Sequence, residues 1–191
     1  MNEGVSIRLA PIGEVDLEPV ADLVNRAFRR YRDIWTGERT SASEYIEEAG
    51  PDARILLVEE AGRLLATSMV ADAARFASHE MLGPSGVERD PGFVAATMPA
   101  GHPWEGTMYY GFAGVEPGLM NRGLGRLMVE YVEQLAARER YRGVSLATIR
   151  QFGLVDYYSK YGYTVCREEV FPEGHWDFLV PHNYCDMVKP V

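Results

Sequence analysis

Apolar and polar residues alternate from Ser6 to Ala10, with Ile7 and Leu9 set between polar neighbours, which predicts a first strand. Asp16 then stands ahead of Leu17, Val20, Leu23, Val24, Ala27 and Phe28, a 3.6-residue spacing that predicts a capped amphipathic helix. Arg29 to Thr40 is polar and aromatic, and reads as a loop or broken helix. Ser43 is the expected cap of a second short helix, Glu44 to Ala49, with Ile46 on its apolar side and Gly50-Pro51-Asp52 ending it. Arg54 to Glu60 and Arg63 to Val70 are apolar runs around Ala61-Gly62, the pattern of a β-hairpin. Ala71 to Gly106 lacks a clear period and is rich in proline and glycine, among them Pro84, Gly86, Pro91, Gly92, Pro99, Gly101 and Pro103, so an insertion or lid is expected over 71–106.

Regular patterning resumes at Thr107 to Val115, an apolar and aromatic strand. A turn at Pro117-Gly118 leads through Asn121-Arg122-Gly123-Leu124-Gly125 into a long helix. Its expected apolar face is Leu127, Met128, Tyr131, Val132, Leu135 and Ala136. Val144 to Ile149 is a β-branched strand, Leu154 to Lys160 a short helix stopped at Gly162, and Tyr163 to Val170 and Trp176 to Val188 two final strands. No repeat or interdomain linker interrupts the chain, and its 191 residues are read as a single domain, 1–191.

Composition narrows the classes. A net charge of −9 argues against nucleic acid as a partner, because phosphate neutralisation needs a basic face. An acidic surface is compatible with a cationic or amine substrate and equally with solubility alone. Cys166 and Cys185 form no CxxC pair and lie near no spaced histidine, so no metal site is expected. They can pair, though free thiols are the default of a reducing compartment. Met1 to Pro11 lacks the apolar run of a signal peptide, and no stretch approaches the ~20 apolar residues of a membrane span. A cytoplasmic protein without membrane contact is therefore expected.

The strand–glycine turn–helix at 109–128 carries the most chemistry. Such a turn aims free backbone N–H groups and the positive end of a helix dipole at one small region, a site for phosphate oxygens. Glycine lets a phosphate approach the main chain. A P-loop is excluded, since no Gly-Lys-Ser/Thr follows. A dinucleotide fingerprint is excluded too, because Met128 stands at its third glycine position.

Two signatures recur together: Val115-x-Pro117 with Arg122-Gly123-x-Gly125-Arg126, then Tyr158-x-Lys160-x-Gly162-Tyr163. On these motifs, and on the order of elements over nearly its whole length, the chain resembles the GCN5-related N-acetyltransferases. The resemblance implies an α/β (α+β) fold, with a mixed, mostly antiparallel sheet of six or seven strands flanked by about four helices. It implies acetyl-CoA or another acyl-CoA as co-substrate. The backbone of Ala113 and Val115 would bond the pantetheine amides, and Asn121, Arg122, Gly123, Leu124, Gly125 and Arg126 would hold the pyrophosphate. Met120 departs from the family's usual Gln or Arg three residues ahead of the first essential glycine. Gln151 stands where the family often has Asn, and retains an amide for the cofactor.

Tyr158 is the candidate general acid that protonates the departing CoA thiolate, with Tyr157 as the alternative and a core aromatic as the plain structural role. The general base is unassigned. Tyr109 occupies a position where relatives carry Glu, and Glu105 and His102 lie nearby. Tyr31, Trp35 and Tyr110 are the expected acceptor-binding residues, with Glu38, Trp104, His175 and Trp176 as further candidates. The resulting expectation is acetyl transfer to a primary amine of a small molecule by direct attack, in a monomer or homodimer. A protein lysine or N-terminal amine as acceptor, and a non-catalytic acyl-CoA-binding module, stay open beside it.

Overall fold

The computed structural model describes residues 4–74 and 101–191. Most of the expected 71–106 insertion therefore lies outside the described residues. Among the described residues seven strands form one sheet: β1 (Val5–Pro11), β2 (Arg54–Glu60), β3 (Arg63–Asp72), β4 (Thr107–Val115), β5 (Gly143–Ile149), β6 (Thr164–Phe171) and β7 (His182–Pro190). Their order is β1-β2-β3-β4-β5-β7-β6. Of the pairings among these seven, that of β4 with β5 is parallel and the rest are antiparallel. Four α-helices are found among the described residues: α1 (Leu17–Phe28), α2 (Ala42–Ala49), α3 (Leu124–Arg138) and α4 (Leu154–Ser159).

The helices divide between the two faces of the sheet. Leu17, Val20 and Val24 of α1 and Tyr45 and Ala49 of α2 pack with Ile55, Leu57, Met69 and Phe112. On the other face Leu124, Met128, Val132 and Leu135 of α3, with Val155 and Tyr158 of α4, pack with Leu56, Val58, Val70 and Tyr110. Successive residues of β2 thus serve opposite cores, which is why its sequence is an unbroken apolar run. The β2–β3 hairpin turns on Ala61 (φ 49°) and Gly62 (φ 77°), both left-handed, as a two-residue turn between twisted strands requires.

Three expectations are corrected. The cap of α2 is Ser41, not Ser43: its hydroxyl accepts from the Glu44 N–H, and the Glu44 carboxylate accepts from the Ser41 N–H at 2.8 Å. This capping box starts the helix two residues earlier, and it is Tyr45 and Ala49 that face inward, leaving Ile46 52% exposed. In α3 Val129 is buried where Leu127 and Tyr131 are only half-buried, because the sheet meets the helix slightly to one side of the expected stripe. Residues 176–181 are not strand: His175–Asp177 form a 3₁₀ turn with left-handed Trp176 and Asp177, and β7 starts at His182. Among the described residues, no helix is long and apolar enough to cross a membrane. Cys166, exposed, and Cys185, buried, are not joined in a disulfide.

Candidate active site

The sheet opens at its centre. β4 and β5 pair through Thr107↔Gly143, Met108↔Val144 and Tyr109↔Ser145, and there the ladder stops. β4 continues to Val115 and β5 to Ile149, while β5 stays paired with β7 as far as Ile149↔Tyr184. The strands therefore diverge into a wedge whose β4 side has main-chain groups without a β5 partner. Backbone groups left unpaired at a strand edge suit an extended, amide-bearing ligand.

A bulge sits on the same stretch. Thr67 faces Gly114 and Met69 faces Gly111, so Phe112 and Ala113 together oppose Ser68. Phe112 has φ 48°, a costly conformation for a bulky residue, and its ring is fixed against Tyr45 (centroids 4.5 Å) and beneath Arg39 (4.2 Å). Local twist from such a bulge re-aims the strand just where it leaves β5.

At the end of β4 the chain passes through a short 3₁₀ turn (Pro117–Leu119) to Gly123, the N-cap of α3. Gly123 is left-handed (φ 83°, ψ 3°) and has no side chain with which to cap the helix. The first helical bond is Leu127 N–H to Gly123 O at 2.9 Å. The N–H groups of Leu124, Gly125 and Arg126 thus precede the helical ladder and form the donor end of a fifteen-residue dipole. A Cβ on Gly123 would meet nothing within 4 Å, so the space before the helix is open. Gly125 has a different reason to be glycine, since a Cβ there would lie 2.8 Å from the Tyr157 hydroxyl. The Arg126 side chain does not face the turn alone: its Nε donates to Glu130 Oε1 at 2.7 Å in an exposed (i, i+4) pair.

Tyr158 stands at the wedge. It is 7% exposed and lies edge-on to Tyr110, with centroids 6.2 Å apart. Burial raises its pKa above that of a free phenol, opposed by a hydrogen bond with Tyr110 and the charge of Arg30. Burial likewise raises Tyr110. Both hydroxyls are protonated at neutral pH, the state a proton donor needs. Tyr157 is engaged elsewhere, packed on Gly125 and hydrogen-bonded to Tyr161. Tyr110, expected on the acceptor side, belongs instead with Tyr158 in the core beside the wedge.

The opposite wall is aromatic. Tyr31 stacks on Phe152 (4.0 Å between centroids, 18° between planes), and Phe28 meets both rings edge-on. Trp35 is 8% exposed; its indole N–H donates to Trp176 O at 2.8 Å and its ring packs on Phe178. Trp35 is thus a strut of this wall, and the half-buried Tyr31 is its accessible ring. Thr36 N–H to Asp177 O (3.1 Å) and Leu179 N–H to Ile34 O (2.9 Å) complete the join between the α1–α2 and β6–β7 connections. His182 is fully buried there, stacked on Phe178 at 3.8 Å, and neither ring nitrogen makes a well-formed hydrogen bond.

Gln151 is not brought to the turn: its amide oxygen accepts from Asn183 N–H (3.0 Å), and its NH2 donates to Asn183 Oδ1 (2.9 Å). Glu38 pairs with Arg32, and Glu105 accepts from Gly101 N–H at 2.8 Å. His102 accepts from Trp104 N–H at 3.2 Å, and burial lowers its pKa. Trp104 is fully buried in the core beneath α1 and α2 and lines no cleft. Sequence reading missed Phe152, Phe178 and the Phe112 bulge. Gly153, left-handed directly after Phe152, is a signal that a turn holds that ring in place; Gly111, inside the strand directly before Phe112, is the signal of a bulge there.

No family model and no curated protein matches the sequence. Solved structures do match in shape. An acyl-CoA N-acyltransferase from Pseudomonas aeruginosa is similar at 19% identity and TM-score 0.60, over 95% of this chain and 98% of that one. yncA from Salmonella typhimurium, solved with its cofactor acetyl-CoA, is similar at 15% identity and TM-score 0.62, over 98% and 94%. A GCN5-related N-acetyltransferase from Kribbella flavida is similar at 15% identity and TM-score 0.60, over 100% of both. The parallel β4–β5 pair that opens into a wedge, the glycine turn into α3 and these likenesses agree, and the chain has the fold of the GCN5-related N-acetyltransferases.

Proposed function

We propose that the protein transfers an acetyl group from acetyl-CoA to a primary amine of a small molecule, by direct attack in a ternary complex. The observation that carries this reading is the alignment of two main-chain features, the unpaired β4 edge and the uncapped start of α3, along one continuous stretch from Tyr110 to Arg126. The edge suits the two amides of a pantetheine arm, and the helix start suits a diphosphate. Ala113 and Val115 bond the arm through their backbone. Asn121, Arg122, Gly123, Leu124, Gly125 and Arg126 hold the diphosphate, chiefly through N–H groups.

In the reaction the amine nitrogen attacks the thioester carbonyl and a C–N bond forms. A backbone N–H near Val115 stabilises the oxyanion. The C–S bond then breaks, and Tyr158 gives its proton to the leaving thiolate and recovers one from the nitrogen through solvent. Neither cysteine lies at the wedge as a nucleophile, which favours direct attack over an acyl-enzyme: Cys166 is in β6 and Cys185 in β7. Tyr31 and Phe152, stacked on each other and both half-buried, wall the acceptor side with their exposed ring edges.

A protein amine is the second reading. Among the similar folds is the ribosomal-protein-S18-alanine N-acetyltransferase from Escherichia coli, at 10% identity and TM-score 0.63 over 97% of this chain and 94% of that one. Calorimetry with CoA, acetyl-CoA and longer acyl-CoAs, followed by free-thiol release with panels of small amines and of peptides, tests both. Acetyl-CoA binding with small-amine-dependent thiol release is the expected result. Turnover only with peptides would select the second reading. Binding without turnover on either panel would leave a regulatory acyl-CoA module, and binding of none would end the coenzyme reading.

A further inference from the structure

Arg30 follows the last turn of α1, and its guanidinium crosses the cleft to the glycine turn. Nη1 lies 3.1 Å from the Met120 thioether sulfur, and Nη2 is hydrogen-bonded to the Tyr31 hydroxyl. Neither acceptor is charged, and a thioether is a poor acceptor. Arg26 and Arg32, its neighbours in sequence, are paired with Glu116 and Glu38. Among the described residues no carboxylate lies within salt-bridge distance of Arg30. The guanidinium is not left to wander, however. It lies 4.6 Å over the Tyr31 ring, and that ring is itself stacked on Phe152.

The turn needs such a group. Each phosphate of a diphosphate ester carries negative charge, whereas backbone N–H groups bring dipoles and no net charge. Of the turn's own cations, Arg126 is engaged by Glu130, which leaves Arg122. The residue at 120 is a methionine, and it is there that the unpaired guanidinium rests. The planar fork of an arginine matches phosphate oxygens, and displacing a thioether from it costs little.

We propose that Arg30, reaching across from the end of α1, is a phosphate-binding residue for the coenzyme's diphosphate and supplies the charge that Met120 does not. This rests on the reading of the turn as a coenzyme cradle. Binding the diphosphate then ties the α1 wall to the α3 wall, so the phosphate end of the coenzyme and the Tyr31 ring are held by one side chain.

The test compares wild type with Arg30→Gln, Arg30→Lys and the double variant Arg30→Gln/Met120→Arg. Affinity is measured by calorimetry for CoA and by ligand-observed NMR for acetyl-pantetheine, which lacks the diphosphate. Because Arg30 is exposed, the melting temperature of each variant is expected to match wild type. Arg30→Gln is expected to weaken CoA about tenfold, the scale of one charge-assisted contact, and to flatten the salt dependence of binding. Acetyl-pantetheine is expected to bind Arg30→Gln and wild type alike, Arg30→Lys to fall between wild type and Arg30→Gln for CoA because it keeps the charge and loses the fork, and the double variant to regain the CoA affinity. Unchanged CoA affinity in Arg30→Gln, an equal loss for both probes, or no recovery in the double variant would overturn the proposal. Failure of wild type to bind CoA at all would instead remove the cradle on which it rests.

Discussion

One wall of the cleft, from β4 through the turn into α3, offers main-chain groups from residues contiguous in sequence. The other, where the α1–α2 connection meets the β6–β7 connection, offers rings, and its defining bond joins side chain and backbone 141 residues apart, Trp35 to Trp176. The first wall suits a ligand whose chemistry never varies, because N–H groups at a helix start recognise phosphate regardless of the side chains around them. The second is made of side chains that can be exchanged without disturbing the sheet, which suits a variable acceptor. The difference predicts unlike responses to substitution.

The largest effect is expected at Gly123. A valine there places carbon in the open space before α3 and forces a β-branched residue to φ 83°. The left-handed conformation alone costs about 1–2 kcal/mol, so a melt will show modest destabilisation. Acetyl-CoA binding, measured well below the new melting temperature, is expected to fall below detection. Retained affinity would show that the turn is not the phosphate site. Next comes Tyr158→Phe, which keeps the buried ring and removes the proton. About a 10²-fold or greater loss of kcat with little change in acetyl-CoA affinity is expected. Loss of affinity with unchanged kcat would make the residue a packing element.

A smaller effect concerns the aromatic wall. Burial, reinforced by His175 and opposed by the Val180 carbonyl, holds His182 below its ordinary value of 6.5. The folded state therefore keeps this ring neutral at a pH where the unfolded chain takes up a proton. Stability from it is fully present above about pH 6.5 and is lost as pH falls below that value, at most about 1.4 kcal/mol per pH unit. His102, lowered also by burial, acts with the same sign, so His182→Phe is expected to flatten the acid limb of a stability–pH profile only in part. An unchanged profile would mean that His182 takes up its proton at the same pH in the folded and unfolded chain. The smallest effect is expected for Arg126→Ala, because that side chain is paired with Glu130 in solvent while its N–H stays in place. Acetyl-CoA affinity should change less than about twofold. A larger loss would move weight from main chain to side chains on this wall.

The same contrast explains what the sequence made legible. The existence and order of the strands and helices from β1 to α4 followed from local periodicity, though the start of α2 did not, since each element buries a face of its own. The glycine turn was equally local, with Gly123 and Gly125 adjacent to the helix they start. Tyr31 was found because it sits in an aromatic run, but its partner Phe152 lies on a distant connection. Trp35 as a strut, Tyr110 as the neighbour of Tyr158, and the engagement of Gln151 by Asn183 all depend on which segments the sheet brings together. The Ser41 cap was legible but missed: Ser41-x-x-Glu44 is a capping-box pattern, whereas Ser43 has Ile46 three residues on. The Phe112 bulge arises from pairing with β3, and its one trace in the strand's own pattern is the glycines that bracket it, Gly111 and Gly114.

The most direct measurement is the crystal structure of the protein grown with acetyl-CoA. The account predicts the diphosphate within hydrogen-bonding distance of the N–H groups of residues 123–126, and the pantetheine arm lying along β4 between Tyr110 and Val115. Diphosphate density anywhere else, or an arm that does not enter the β4–β5 wedge, would contradict it.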